Sequence, residues 1–130
     1  MDIILLIGRV FFGGFFFLSG LNHFKHLSDL TAYARSQKVP TPKLAVIGTG
    51  LLLFLGGLGI ILGVYVGLSL ILITIFFVFV TPKMHPFWTE SDPLKKAAEK
   101  RDFMKNMALL GATIMLYTFT ASPWAYSLMF

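Results

Sequence analysis

Residues 44–80 read LAVIGTGLLLFLGGLGIILGVYVGLSLILITIFFVFV, a run of 37 without a charged side chain. At 1.5 Å of rise per residue, about 20 helical residues cross the roughly 30 Å hydrocarbon core of a bilayer. The run is therefore too long for one crossing and fits two. A tight reversal near Gly63-Val64-Tyr65-Val66-Gly67 divides it into spans over residues 44–62 and 65–80. Glycines at 48, 50, 56, 57, 59, 63 and 67 include two GxxxG spacings, Gly59/Gly63 and Gly63/Gly67. In lipid such small residues let helix backbones approach closely, and packing within a bundle is the role expected of them here.

Working outward, residues 3–21 supply an earlier apolar segment of similar length. It is phenylalanine-rich and no basic stretch precedes it, which favours a retained span over a cleaved leader. It carries Arg9 in its outer half and ends in Ser19-Gly20-Leu21-Asn22-His23-Phe24. Residues 26–38 carry the signals of a short amphipathic helix on the membrane surface. Ser28 is placed as N-cap, with Asp29 near the positive helix end and Leu30, Tyr33, Ala34 and Gln37 on one side. Val39-Pro40-Thr41-Pro42 stops that helix and starts the next, with Thr41 as N-cap.

On the other side, Thr81-Pro82-Lys83-Met84-His85-Pro86-Phe87-Trp88 is expected to break the third span, and Trp88 suits the membrane–water boundary. Ser91-Asp92-Pro93 opens a charged helix over residues 94–102 that continues unbroken into a fourth span, 103–120. The tail, 121–130, carries Trp124 and Tyr126 as interfacial anchors. The expected fold is thus an all-α membrane protein. It is a four-transmembrane-helix bundle in one domain, 1–130, with short amphipathic helices in the first and third connections.

Composition agrees. The chain is 56% hydrophobic and 13% charged, too little polar surface for a soluble domain of 130 residues. Absence of cysteine excludes disulfides, thiolate metal sites, iron–sulfur ligation and covalently attached haem. The net charge of +5 is not read as nucleic-acid binding, because no aromatic side chains interleave with a basic groove. Ten of the eleven Lys and Arg residues lie within 25–43 or 83–105, the first and third connections. The positive-inside rule then places both connections in the cytoplasm and both termini outside.

The four-span arrangement brings Asn22 and His23 of the first helix, His85 after the third, and Lys105 and Asn106 of the fourth to the cytoplasmic rim. Amides and imidazoles there can hold the polar head of an amphiphile such as a quinone, and a histidine can exchange the proton that quinone reduction requires. The competing expectation is that the asparagines tie the first helix to the fourth. A metal is not expected, because His23, His26 and His85 lack a carboxylate at convincing spacing. Haem between two histidines is disfavoured by their position at the bundle edge. Arg9 is an intramembrane charge, expected to snorkel toward Asp2 or to face Thr74, Thr113 or Tyr117 inside the bundle.

Several of these pieces resemble the DoxX family of small four-span membrane proteins. They are Arg9…Gly13…Leu18-Ser19-Gly20-Leu21-Asn22-His23-Phe24, the short helix closed by Pro40, the pair Gly56-Gly57, and Phe103-Met104-Lys105-Asn106-Met107-Ala108-Leu109-Leu110-Gly111. The resemblance implies a bundle in a bacterial or archaeal cytoplasmic membrane. It also implies a link to respiratory redox chemistry, since the family's namesake is a subunit of a thiosulfate:quinone oxidoreductase. Many members carry a glutamate three positions before the glycine pair, where this chain has Leu53. That position is expected near the depth of Arg9, so an Arg–Glu pairing would be missing. Residues and resemblance together suggest a redox-associated accessory subunit that binds a quinone or similar amphiphile beside a redox enzyme partner. No complete catalytic set is present. The alternative is a non-catalytic scaffold, assembly factor or cargo-binding subunit.

Overall fold

The computed structural model describes residues 1–128, so the last two residues of the tail lie outside it. Five helices follow in order: α1 (Asp2–Lys25), α2 (Leu27–Ser36), α3 (Pro42–Leu62), α4 (Val66–Met84) and α5 (Pro93–Tyr117). A short 3-10 turn, Phe87–Thr89, lies between the last two. Among the described residues, α1, α3 and the segment Val66–Thr89 are long and apolar enough to cross a membrane. α5 runs unbroken, but only its part beyond Lys105 is free of charge, and residues 106–117 make about 18 Å of helix.

α1 and α3 lie against each other so closely that glycine is required. A Cβ on Gly13 would stand 2.8 Å from the Gly57 carbonyl oxygen, and one on Gly20 would stand 2.5 Å from the Phe54 amide nitrogen and 2.8 Å from the Gly50 oxygen. Gly50 is shut in by the His23 side chain at 2.8 Å. The seam is therefore built from glycines seven apart, 13/20 on α1 and 50/57 on α3. The GxxxG spacings do not form it: Gly63 lies outside the helix, and Gly67 has its nearest neighbours at 3.7 Å.

That register settles the level of Leu53. With Gly13 opposite Gly57 and Gly20 opposite Gly50, Leu53 falls opposite Phe17, about two helical turns from the level of Arg9. The expectation that it shares Arg9's depth is corrected. Leu53 is 2% exposed and belongs to the core with Phe16, Ile60, Leu70, Ile73 and Phe77. Phe16 meets Phe77 edge-on at 5.6 Å between ring centroids, joining α1 to α4 beside α3.

Several helix ends differ from expectation. α2 begins at Leu27 after His26, one residue before Ser28, and buries Thr31 and Ala34. Thr41 and Asp92 stand at N-cap positions but make no side-chain cap bond. α4 passes through Pro82 and ends at Met84, beyond the expected span end at 80 but within the stretch 81–88 expected to break it. The reversal between α3 and α4 takes Gly63 at φ 71°, where glycine costs nothing, and Tyr65 at φ 47°.

Trp124 is not an interfacial anchor. The tail folds back over the α3–α4 end, leaving Trp124 8% exposed in the core cluster with its indole nitrogen donating to the Phe119 carbonyl at 2.9 Å. Tyr126 remains exposed.

Candidate functional site

Two polar regions stand out, one at each end of the helices. At the end that includes the α3–α4 reversal, Arg9 is 2% exposed. Its Nε donates to the Ile60 carbonyl at 3.1 Å and one terminal nitrogen to Ile61 at 2.8 Å. The guanidinium also donates to the carbonyls of Ala125 and Tyr126 in the tail. The reason is visible at the end of α3. A helix leaves its last carbonyls without intrahelical donors and carries partial negative charge there. Here Val64 N–H takes the Gly59 oxygen, Arg9 takes those of Ile60 and Ile61, and Leu128 N–H takes that of Leu62. The Arg9 side chain, supplied from α1, thus caps carbonyls in the last turn of α3, whose C-cap residue is Gly63.

Arg9 neither snorkels to Asp2 nor uses the hydroxyls suggested by its depth. Thr74 and Thr113 donate to carbonyls of their own helices, those of Leu70 and Leu109. A planar five-donor fork suits several carbonyls at once, which explains how the charge is satisfied with no acidic partner among the described residues.

At the opposite end the five predicted rim residues do not converge. Asn22 is exposed, and its carbonyl accepts the His26 N–H at 3.0 Å. Asn106 is buried and donates to the Thr81 hydroxyl at 3.2 Å, tying α5 to α4 rather than to α1. Lys105 is exposed, with its ammonium 3.9 Å from an Asp102 oxygen. His85, the residue after α4, places Nδ1 2.8 Å from a Glu99 oxygen.

Of the five, His23 lines a cavity. An opening of about 230 Å³ lies between the ends of α1, α2, α3 and α4, walled by Leu30, Ala34, Val46 and Phe79 with His23 and Lys83 at its polar edge. The His23 Nδ1 lies 2.8 Å from the Ser19 carbonyl. A carbonyl only accepts, so Nδ1 carries the proton, and in the neutral ring Nε2 is left as the acceptor. Phe76 meets the imidazole edge-on at 6.2 Å and helps hold it.

The carboxylates near His85 were not anticipated from the sequence. Phe87, Trp88 and Phe103 pack edge-to-face at centroid distances of 5.3 to 5.7 Å, folding the α4–α5 connection onto α5. That fold-back carries His85 to Glu99 and Asp102, away from the predicted grouping with His23 and His26. The i, i+3 spacing of Glu99 and Asp102 shows that they share a helix face. Only the aromatic packing brings a histidine to it. Tyr33 of α2 joins the same corner, its hydroxyl 3.3 Å from the Met84 carbonyl. Partial burial pushes the Tyr33 phenol pKa above its ordinary value, as do the charges of Glu99 and Asp102, against the lowering influence of a hydrogen bond with Gln37.

All-helical architecture with several apolar, membrane-length helices defines an integral membrane protein. Within that class, the DoxX family model matches residues 4–86, more than half the chain, and the protein belongs to the DoxX family. The match covers α1 to α4 and stops short of α5, including residues 103–111. Comparison with curated proteins and with solved structures gives no match.

Proposed function

We propose that this DoxX-family protein binds a quinone or similar amphiphile at its cytoplasmic rim, as an accessory to a membrane redox enzyme. The observation that carries the reading is the apolar cavity edged by the His23 ring, whose Nε2 is free to accept, and by Lys83. At about 230 Å³ it is below the roughly 300–1,000 Å³ of ordinary small-molecule sites. That size suits one ring or a short length of chain, with the remaining tail in lipid. His23 Nε2 accepts a hydrogen bond from the hydroxyl of a reduced head group and can take up its proton. Asn22, Lys105 and Asn106 are withdrawn from direct contact in this proposal, and His85 is assigned elsewhere.

Four crossings accompany the proposal. α5 serves as the fourth, its basic first half at the cytoplasmic surface and its uncharged part in the bilayer, continued by residues 118–120. The ten basic residues of the two connections then lie inside, and both termini lie outside, in a bacterial or archaeal cytoplasmic membrane.

The alternative, a scaffold or cargo-binding subunit, draws on the exposed Lys95, Lys96, Lys100 and Arg101 of α5, which offer a basic surface to a soluble partner. Extraction and mass analysis of lipids co-purified with the detergent-solubilised protein separates the two. Stoichiometric quinone that is depleted in a His23→Ala variant supports binding at the rim. A lipid extract matching the bulk membrane, with a non-redox protein retained on the column, supports the scaffold.

A further inference from the structure

We propose that His85, Glu99 and Asp102 form a binding site for a first-row divalent cation, with zinc the preferred ion. The ligand atoms of the three side chains lie within 4.8 Å of one another, drawn from the end of α4 and one face of α5. Imidazole nitrogen with two carboxylate oxygens is a donor set that zinc accepts, and three protein ligands leave a position for water.

The spacing suits an inserted ion. Donors about 2.1 Å from a tetrahedral zinc stand about 3.4 Å apart. The His85–Glu99 contact of 2.8 Å opens by about 0.6 Å to admit it, and the Asp102 side chain closes by rotation. For ligation through Nδ1 the neutral ring carries its proton on Nε2.

The site is also prepared. The side chains of His85 and Glu99 are 22% and 28% exposed, unlike freely solvated surface acids. Packing of Phe87 and Trp88 on Phe103 fixes the connection that presents His85, so little ordering remains for the ion to impose. The last carbonyls of α4 add partial negative charge beside His85. Lys105 is exposed and 3.9 Å from Asp102, and it swings into solvent at small cost. Bound zinc would clip the end of α4 to α5.

The test uses the full chain in detergent, with a tag free of histidine, stripped by EDTA and titrated calorimetrically with zinc chloride. One zinc per chain is expected, with a higher unfolding temperature in its presence. Glu99→Gln keeps a hydrogen-bonding partner for His85 while removing the ligand charge. This variant should fold as wild type and bind zinc at least about tenfold more weakly. His85→Ala should lose the site, and His26→Ala should leave it intact. Absence of stoichiometric zinc in the wild type would overturn the proposal, as would zinc affinity unchanged by Glu99→Gln.

Discussion

Arg9 connects sequence and stability through a single side chain. An arginine in an apolar segment is expensive unless every donor finds an acceptor, and here the acceptors are backbone carbonyls that lacked donors of their own. Replacing it with leucine removes the shared cap and leaves buried carbonyls unpaired at about 1–3 kcal/mol each. Arg9→Leu should therefore destabilise the protein by about 3 kcal/mol or more in thermal unfolding, and chymotrypsin should cut the tail near Trp124 faster. Arg9→Lys, with a point charge instead of a fork, should fall between. The sequence announced the charge and its depth but not these partners, because carbonyl acceptors are common to every residue and leave no mark in composition. Leu53 makes the complementary point. A glutamate at 53 would lie opposite Phe17 rather than beside the guanidinium, so Leu53→Glu should cost about 3 kcal/mol. Leu53→Met, which conserves volume, should cost less than about 1.5 kcal/mol in the same unfolding assay. Equal stability of the two variants would mean that the acid reaches Arg9 after all.

Among the elements, the α1–α3 pair depends most sharply on small residues. Gly57 faces the Gly13 carbonyl and the Phe17 backbone, so an added methyl has no flexible neighbour to displace. Gly57→Ala and Gly20→Ala should each destabilise by about 1–3 kcal/mol through overpacking. Gly14 and Gly111 have open space around the missing Cβ, and alanine there should be neutral or stabilising by about 0.5–1 kcal/mol. Melting curves in one detergent compare all four. Glycine richness marked these helices as close-packed, yet the obvious GxxxG spacings were not the seam. Which glycines face a neighbour depends on crossing register, and register is a property of the pair of helices. For Asn106 the polar residue type indicated an interhelical bond, but its partner followed from α5 packing beside α4. Asn106→Ala should cost about 0.6–1.7 kcal/mol, the range for interhelical hydrogen bonds in membranes.

Across the whole molecule, hydropathy made the helical membrane character legible, since a charge-free run of 37 residues admits few alternatives. Site composition was less legible. Four helix ends, a returning connection and a returning tail distribute the polar side chains, and of those two reversals one goes with aromatic burial and the other with edge-to-face aromatic packing. The tail closes over Arg9 because Trp124 enters the core, and the α4–α5 connection folds back because Phe87 and Trp88 pack on Phe103. The polar residues at the end opposite Arg9 consequently fall into three places: a cavity edge at His23, an interhelical tie at Asn106 and a histidine–carboxylate corner at His85, where a cation is proposed to bind. The central claim is that the first of these holds an amphiphile. It is tested most directly by photocrosslinking a short-tailed photoreactive quinone to the protein in membranes and mapping the labelled peptides. The account predicts labels around His23 and on residues 79–84, reduced by excess unmodified quinone and by His23→Ala. Labels spread over the outer faces of the helices, undiminished by competitor, would contradict it.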